Sequence, residues 1–190
     1  MSESGKEIEI KLRAASVDDA AHRIEGAGFE VSRARVFETN LLLDTETGLL
    51  RTRGEALRVR ERGGETIVTY KGPAAIGRHK SREEVETMAG DAAVMLAIFA
   101  RLGFDATYRY EKFRTEFARG AEPGIVTLDE TPIGVFIEVE GAGHWIDTVA
   151  EELGFTEKDY INDSYSTLFR RHCANSGTEL GDGMTFRVKP

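Results

Sequence analysis

Residues 7–13 alternate charged and apolar side chains, so a strand there carries Glu7, Glu9, Lys11 and Arg13 on one face and Ile8, Ile10 and Leu12 on the other. Ser16 then stands where a helix cap belongs, with Asp18 and Asp19 in the first turn, Ala20, Ala21, Ile24 and Ala27 along one side, and Gly28 at the end. Glu30 to Asp44 reads as a strand and Thr45 to Gly48 as a polar loop. Strands over 55–62 and 65–71 flank Gly63-Gly64, a pair suited to a two-residue hairpin and hence to antiparallel pairing. After the loop from Gly72-Pro73 to Gly77, alternation resumes over His79 to Met88. Asp91 then caps a helix with Val94, Met95, Ile98 and Leu102 at helical spacing, stopped by Gly103. The second half predicts strands over 106–118, 124–130 and 134–141, with helices from Ile146 to Leu153 and Ser164 to Ala174. No long linker divides the chain, so one domain is expected over 1–175 and a Gly-rich tail over 176–190, with the short Thr185 to Lys189 segment either paired or free.

Charge is what makes these strands unusual. Charged pairs at i, i+2 recur as Glu7/Glu9/Lys11, Arg58/Arg60, Arg82/Glu84/Glu86, Lys112/Arg114 and Glu138/Glu140, with Lys71 on the fourth strand and Asp129 on the seventh. For any single strand the ordinary reading is a half-buried sheet with its polar side in water. Taken together the pairs are segregated by sign, which points to a site. A barrel closed with the charged faces inward would collect seven acids (Glu7, Glu9, Glu84, Glu86, Asp129, Glu138, Glu140) and six bases (Lys11, Arg58, Arg60, Lys71, Lys112, Arg114) in its lumen. Like charges crowded in a partly dehydrated cavity need compensation. A divalent cation serves the carboxylates and an anion serves the bases, and a metal-bound polyphosphate supplies both.

Composition narrows the alternatives. The 190 residues are 41% hydrophobic, which excludes disorder as the main state, and 33 acidic against 25 basic residues give a net charge of −8, which argues against a general grip on nucleic acid. A single cysteine, Cys173, allows neither an internal disulfide nor a thiolate metal site. The acidic start lacks the marks of a signal peptide, and no window is apolar enough to span a bilayer, so a cytoplasmic protein without a membrane segment is expected. His22, His79, His144 and His172 lack zinc spacing, there is no P-loop, and Ser164 and Ser166 lack a nucleophile-elbow context. Trp145, Phe155 and Tyr160 are expected to pack the final helix on the barrel, with stacking on a nucleobase as the alternative; Arg23, Arg33, Arg35, Arg101, Arg119, Arg170 and Arg171 are assigned to solvated surface.

The motifs resemble the CYTH proteins, also called triphosphate tunnel metalloenzymes, which include class IV adenylyl cyclases, thiamine triphosphatases and inorganic triphosphatases. Glu7-Ile8-Glu9-Ile10-Lys11 is similar to the family's E-x-E-x-K signature. Leu57-Arg58-Val59-Arg60, Thr69-Tyr70-Lys71 before Gly72-Pro73, Arg82-x-Glu84-x-Glu86, Glu111-Lys112-Phe113-Arg114, Leu128-Asp129, Phe136-Ile137-Glu138-Val139-Glu140 and Ser164-Tyr165-Ser166-Thr167-Leu168 follow in the family's order. The resemblance implies an α+β protein: an eight-stranded antiparallel β-barrel forming a triphosphate tunnel, with peripheral helices. It implies Mg2+ or Mn2+ at Glu7, Glu9, Glu138 and Glu140, catalysis resting on Glu7, Glu9 and Lys11, and substrate contacts from Lys11, Arg58, Arg60, Lys71, Arg82, Glu84, Glu86, Lys112, Arg114 and Asp129. The implied substrate is a small triphosphate (ATP, inorganic triphosphate or thiamine triphosphate). Class IV adenylyl cyclase is the most similar subtype, with a triphosphatase and a non-catalytic binding module as alternatives. Nucleic acid and membrane partners are not expected, and the oligomeric state stays open, a homodimer included. One departure is visible at Asn40 to Asp44, where many relatives carry an aromatic residue and an extra acid.

Overall fold

The computed structural model describes residues 4–181 and 183–186. Among them lie ten strands: β1 (Ser4–Ala14), β2 (Glu30–Asp44), β3 (Ala56–Arg62), β4 (Glu65–Lys71), β5 (Ala75–Ile76), β6 (Lys80–Ala89), β7 (Asp105–Ala118), β8 (Ile125–Thr131), β9 (Gly134–Glu140) and β10 (Gly183–Met184). Five α-helices accompany them: α1 (Val17–Gly26), α2 (Leu49–Arg53), α3 (Ala92–Arg101), α4 (Gly143–Glu152) and α5 (Tyr165–Ser176). Eight strands pair antiparallel in the order β1-β9-β8-β7-β2-β3-β4-β6, and β6 pairs back onto β1 to close a barrel. β5 extends β6, and β10 runs parallel to β7 beside Arg109 and Tyr110, beyond the stretch that β8 covers. No helix among the described residues is long and apolar enough to cross a membrane.

Period-two alternation turns the usual barrel inside out. The apolar positions Ile10, Leu12, Val126, Leu128, Ile137 and Val139 face outward, where α1 and α4 cover them with Ala20, Ile24, Ile146, Val149 and Leu153. Burying such side chains is worth roughly 1.5–3 kcal/mol each, so the main hydrophobic core lies outside the barrel and leaves the lumen free for charge. Ser16 caps α1 by accepting from the Asp19 N–H at 3.1 Å, and Gly63 and Gly64 both take positive φ, as the hairpin between β3 and β4 requires.

Several elements differ from the sequence reading. The loop after β2 contains α2, because the Asp44 carboxylate accepts from the backbone N–H groups of Thr45, Leu50 and Arg51 at 2.8–3.0 Å; five residues are too few to show helical periodicity. β5 lies inside the expected loop after Gly72, and a 3-10 turn, Glu157–Asp159, carries a capping box from Thr156. Trp145, Phe155 and Tyr160 pack against the core under α1 and α4, not under the final helix. Trp145 meets Phe29 edge-on and lies so close over Gly124 that a β-carbon there would clash at 2.2 Å. The final helix docks instead through Tyr165, Leu168 and Phe169 against Tyr110 and Phe136. Arg35 grips Glu130 and stacks on Phe113, Arg23 holds the Leu153 carbonyl, and Arg119 binds Glu122, Glu152 and the Ala27 carbonyl, so these three are clasps and not free surface charges. In the tail, Gly183–Met184 pairs, and the last part of the expected Thr185 to Lys189 segment lies outside the described residues.

Candidate active site

The barrel encloses a cavity of about 1160 Å³ open to solvent. Thirteen of the fourteen side chains singled out from the sequence line it: Glu7, Glu9, Lys11, Arg58, Arg60, Lys71, Arg82, Glu84, Glu86, Lys112, Arg114, Glu138 and Glu140. Asp129 is the exception. It is fully buried behind the wall and does not reach the cavity surface, so its expected substrate contact is corrected to a supporting role. Its carboxylate accepts from Lys112 at 2.8 Å, from Arg114 at 2.7 and 2.6 Å, and from the Tyr165 hydroxyl at 2.7 Å.

The register explains the clustering. Lys11 opposes Glu138 across β1 and β9, Arg114 opposes Asp129 across β7 and β8, and Lys71 opposes Glu84 across β4 and β6. Five bases, Lys11, Arg58, Arg60, Lys112 and Arg114, line the cavity wall from β1, β3 and β7, each nearly buried yet facing the cavity. Arg58 donates to Thr69 at 3.0 Å and to the Tyr110 hydroxyl at 3.4 Å, and Arg60 donates to the Asn40 amide oxygen at 3.0 Å. Lys11 lies between Glu9 at 3.2 Å and Glu138 at 3.3 Å, and Arg114 pairs with Glu138 as well. Arg82 lines the cavity but spends its Nε on the Gly72 carbonyl at 3.1 Å, holding the turn after β4.

The acids fall into two groups. For Glu9 and Glu138, burial opposes ionisation, but Lys11 and its neighbouring bases outweigh it and hold both carboxyls well below the usual carboxylate range. Glu7 moves the other way. Burial and the nearby Glu9 and Glu84 raise it although Lys71 sits 2.6 Å away, and its second oxygen is buried without a hydrogen-bond partner. Glu140, at the cavity rim, is pushed up to about 7 by lost hydration and by Glu7, with Glu9 and Glu84 adding to the effect against Lys71.

These donors fit a hard divalent cation. They are carboxylate oxygens, one is unpartnered, and the repulsion between Glu7 and Glu140 is only partly offset by Lys71. Among the described residues, no three acidic, histidine or cysteine side chains converge into a finished ligand set. A Mg2+ site would then need substrate phosphates and water to complete its ligands. Of the four expected ligands, Glu9 and Glu138 each meet two bases, Glu7 meets one, Lys71, and Glu140 has no ion-pair partner among the described residues.

Four groups of the site were not anticipated, Lys80 and Tyr165 lining the cavity and Glu38 and Asn40 buried behind its wall. Lys80 lies on the same face as Arg82, Glu84 and Glu86, one step earlier on β6, so extending that stripe by two residues would have found it. Glu38 and Asn40 share the inward side of β2 and are both fully buried, but the apolar run Leu41-Leu42-Leu43 hides the alternation. The strand that departs from the family pattern therefore does supply this site: Asn40 holds Arg60. Tyr165 comes from the first turn of α5, and its ring has Lys11 and Lys112 at 5.4 and 5.3 Å from the centroid. A helical residue reaching into a barrel leaves no strand pattern to read.

Residues 5–165 match the model of the CYTH domain. The chain belongs to the CYTH family. A protein of Methanocaldococcus jannaschii named as a candidate adenylate cyclase is 30% identical over 173 residues, covering 85% of this chain and 97% of its own. The CYTH fold is shared with a Vibrio parahaemolyticus structure, also named as a candidate adenylate cyclase, at TM-score 0.78 and 20% identity, covering 88% of this chain and 99% of that one. It is shared as well with the Hippeastrum protein HpAC1, described by a dominant triphosphatase activity, at TM-score 0.63 and 21% identity, covering 92% and 98% of the two chains.

Proposed function

We propose that this protein is a divalent-metal-dependent enzyme that takes ATP into the tunnel and converts it to cyclic AMP and pyrophosphate, as a class IV adenylyl cyclase. The observation that carries this reading is one cavity lined both by five near-buried bases and by the carboxylates Glu7 and Glu140, which have only Lys71 to offset their repulsion. The M. jannaschii relative supports the choice of cyclase.

Lys11, Arg58, Arg60, Lys112 and Arg114 would hold the phosphate oxygens. Opposite charges 4 Å apart attract by ~1 kcal/mol in water and by about 4 kcal/mol at the effective dielectric of a protein surface, so the near-buried wall grips far better than exposed bases would. The bases are preorganised: Asp129 and Tyr165 fix Lys112 and Arg114, and Asn40 fixes Arg60, before any ligand arrives. Glu7, Glu9, Glu138 and Glu140 would hold Mg2+ or Mn2+, whose chemistry is to neutralise phosphate charge and to make the attacking hydroxyl more acidic. In the cyclase reaction the ribose 3′-oxygen bonds to the α-phosphorus, its proton leaves, and the bond to the β-phosphate oxygen breaks to release pyrophosphate. The preorganised bases would position these atoms for in-line attack.

The same wall serves a triphosphatase, in which water attacks the terminal phosphorus; the activity described for the Hippeastrum neighbour favours keeping this second reading. Product identification separates them. The protein is incubated with ATP, inorganic triphosphate and thiamine triphosphate, each with Mg2+ or Mn2+. Cyclic AMP with pyrophosphate is the expected result. Orthophosphate alone replaces the proposal with hydrolysis, and tight binding without product replaces it with a binding module.

A further inference from the structure

Lys80 opens β6 directly opposite Glu9 on β1, at the pairing that closes the barrel. Its side chain is 8% exposed, and its ammonium sits on the same carboxylate oxygen, Glu9 Oε1, that Lys11 approaches at 3.2 Å. The two lysines are not equivalent. Lys11 has a second carboxylate, Glu138, at 3.3 Å and belongs to the phosphate wall, whereas among the described residues Lys80 has no ion-pair partner other than Glu9.

We propose, building on the triphosphate reading above, that Lys80 is a positioning residue: it holds the charge and orientation of Glu9 so that Lys11 can turn from Glu9 to the phosphate. A nearly buried carboxylate that lost its sole cation would resist that transfer, because an unpaired buried charge is costly. With Lys80 in place, Glu9 keeps one ammonium when the other departs. Because both lysines use Oε1, the second oxygen of Glu9 stays clear of them. Lys80 acts through Glu9 and does not itself touch phosphate.

The test is a double-substitution cycle read by titration calorimetry with inorganic triphosphate and Mg2+, with thermal unfolding monitored in parallel. Lys80→Met, which keeps much of the side-chain volume, should weaken triphosphate about tenfold, the low end for loss of a buried charge-assisted bond. Lys80→Arg should recover most of that loss. In a Glu9→Gln background, where no carboxylate remains to hold, Lys80→Met should change affinity less than twofold. A full tenfold loss in that background would make Lys80 a direct phosphate ligand and overturn the proposal, as would unchanged affinity in Lys80→Met alone. If Lys80→Met does not fold, the same cycle run with Lys80→Gln decides between these outcomes. Failure of the unsubstituted protein to bind triphosphate would overturn the functional reading itself, a result distinct from either.

Discussion

Glu38 and Glu140 both belong to inward sides of barrel strands, one out of reach of solvent and one at the rim, and their acidities diverge. Burial disfavours the Glu38 anion, but Lys112, Arg60 and Arg114 overcome it and lower its carboxyl to about 2. At Glu140 the loss of hydration is reinforced by Glu7 and Glu9, and the carboxyl rises to about 7. At the sealed end the Glu38 carboxylate is held ionised by bases 3.6–4.0 Å away, although neither of its oxygens has a hydrogen-bond partner. The lumen stops there at Ile67 and Thr127, both nearly fully buried, and Arg62 closes on Glu116 at 2.8 Å. The charge balance therefore differs between the two ends: bases dominate around Glu38 and carboxylates around Glu140.

The largest expected effect tests the sealed end. Asp129→Ala would leave Lys112 and Arg114 facing each other without their shared carboxylate and strip the Tyr165 hydroxyl of its acceptor. Breaking a buried pair in this way costs about 3–5 kcal/mol, so chemical denaturation should show a loss of that size. A loss below ~1 kcal/mol would mean that Asp129 is not the counter-charge of the wall.

The wall itself is probed by Arg60→Ala. Its one hydrogen-bond partner is the neutral Asn40, and Glu38 lies farther off at 3.6 Å, so removing it leaves the fold with fewer crowded bases. Inorganic triphosphate should bind roughly 10- to 150-fold more weakly, the equivalent of ~1.5–3 kcal/mol for a charge-assisted bond, with only a small change in the unfolding midpoint, since relief of crowding among the bases offsets the loss of one of the cations around Glu38. Loss of stability with undiminished affinity would reassign Arg60 to the scaffold.

Between the two regions, pH should act with opposite sign. Glu38 has a lowered folded-state pKa, so its contribution is complete above about 4.5 and is lost as pH falls through about 2. Glu140 has a raised one: the folded state binds the proton more tightly, so stability falls as pH rises from about 4.5 through about 7. The full shift would correspond to ~3 kcal/mol, but water at the exposed rim screens it to about 1 kcal/mol. Metal-free protein should therefore be most stable near pH 5, and Glu140→Gln should flatten the alkaline limb while leaving the acid limb alone. An unchanged alkaline limb in Glu140→Gln would place the repulsion elsewhere.

The inward direction of the charged faces and twelve lumenal side chains were legible from period-two alternation combined with the sign of each pair, and Arg82 from the family motif, whereas the strand order beyond the β3–β4 hairpin was not. What alternation could not reveal is depth. Asp129 and Glu138 have the same inward parity, yet one stands behind the wall and the other on it, because depth depends on which helix covers which strand. Tyr165 escaped for that reason as well, since it is supplied by α5. Lys80 was missed although it continues the Arg82/Glu84/Glu86 stripe, because that stripe was not extended to the start of the strand.

The smallest expected effect tests the register on which all of this rests. Glu83 and Glu84 are adjacent on β6, and a one-residue slip would exchange their faces. Glu84 turns into the lumen, 2.8 Å from Lys71 and 3.8 Å from Arg58, whereas the Glu83 side chain is exposed and only its backbone carbonyl is engaged, accepting from the Gly72 N–H at 2.9 Å. Substitution to glutamine keeps that backbone bond. Glu83→Gln should therefore move stability by no more than about 0.5 kcal/mol and leave triphosphate affinity unchanged. Glu84→Gln releases Lys71 from one of its two carboxylates, Glu7 being the other, and should alter affinity measurably in the same titration. Because the pair differs by one position and shares chemistry, equal responses would show that β6 is displaced by one residue, and the assignments of Arg82, Glu84 and Glu86 to the lumen would fall together.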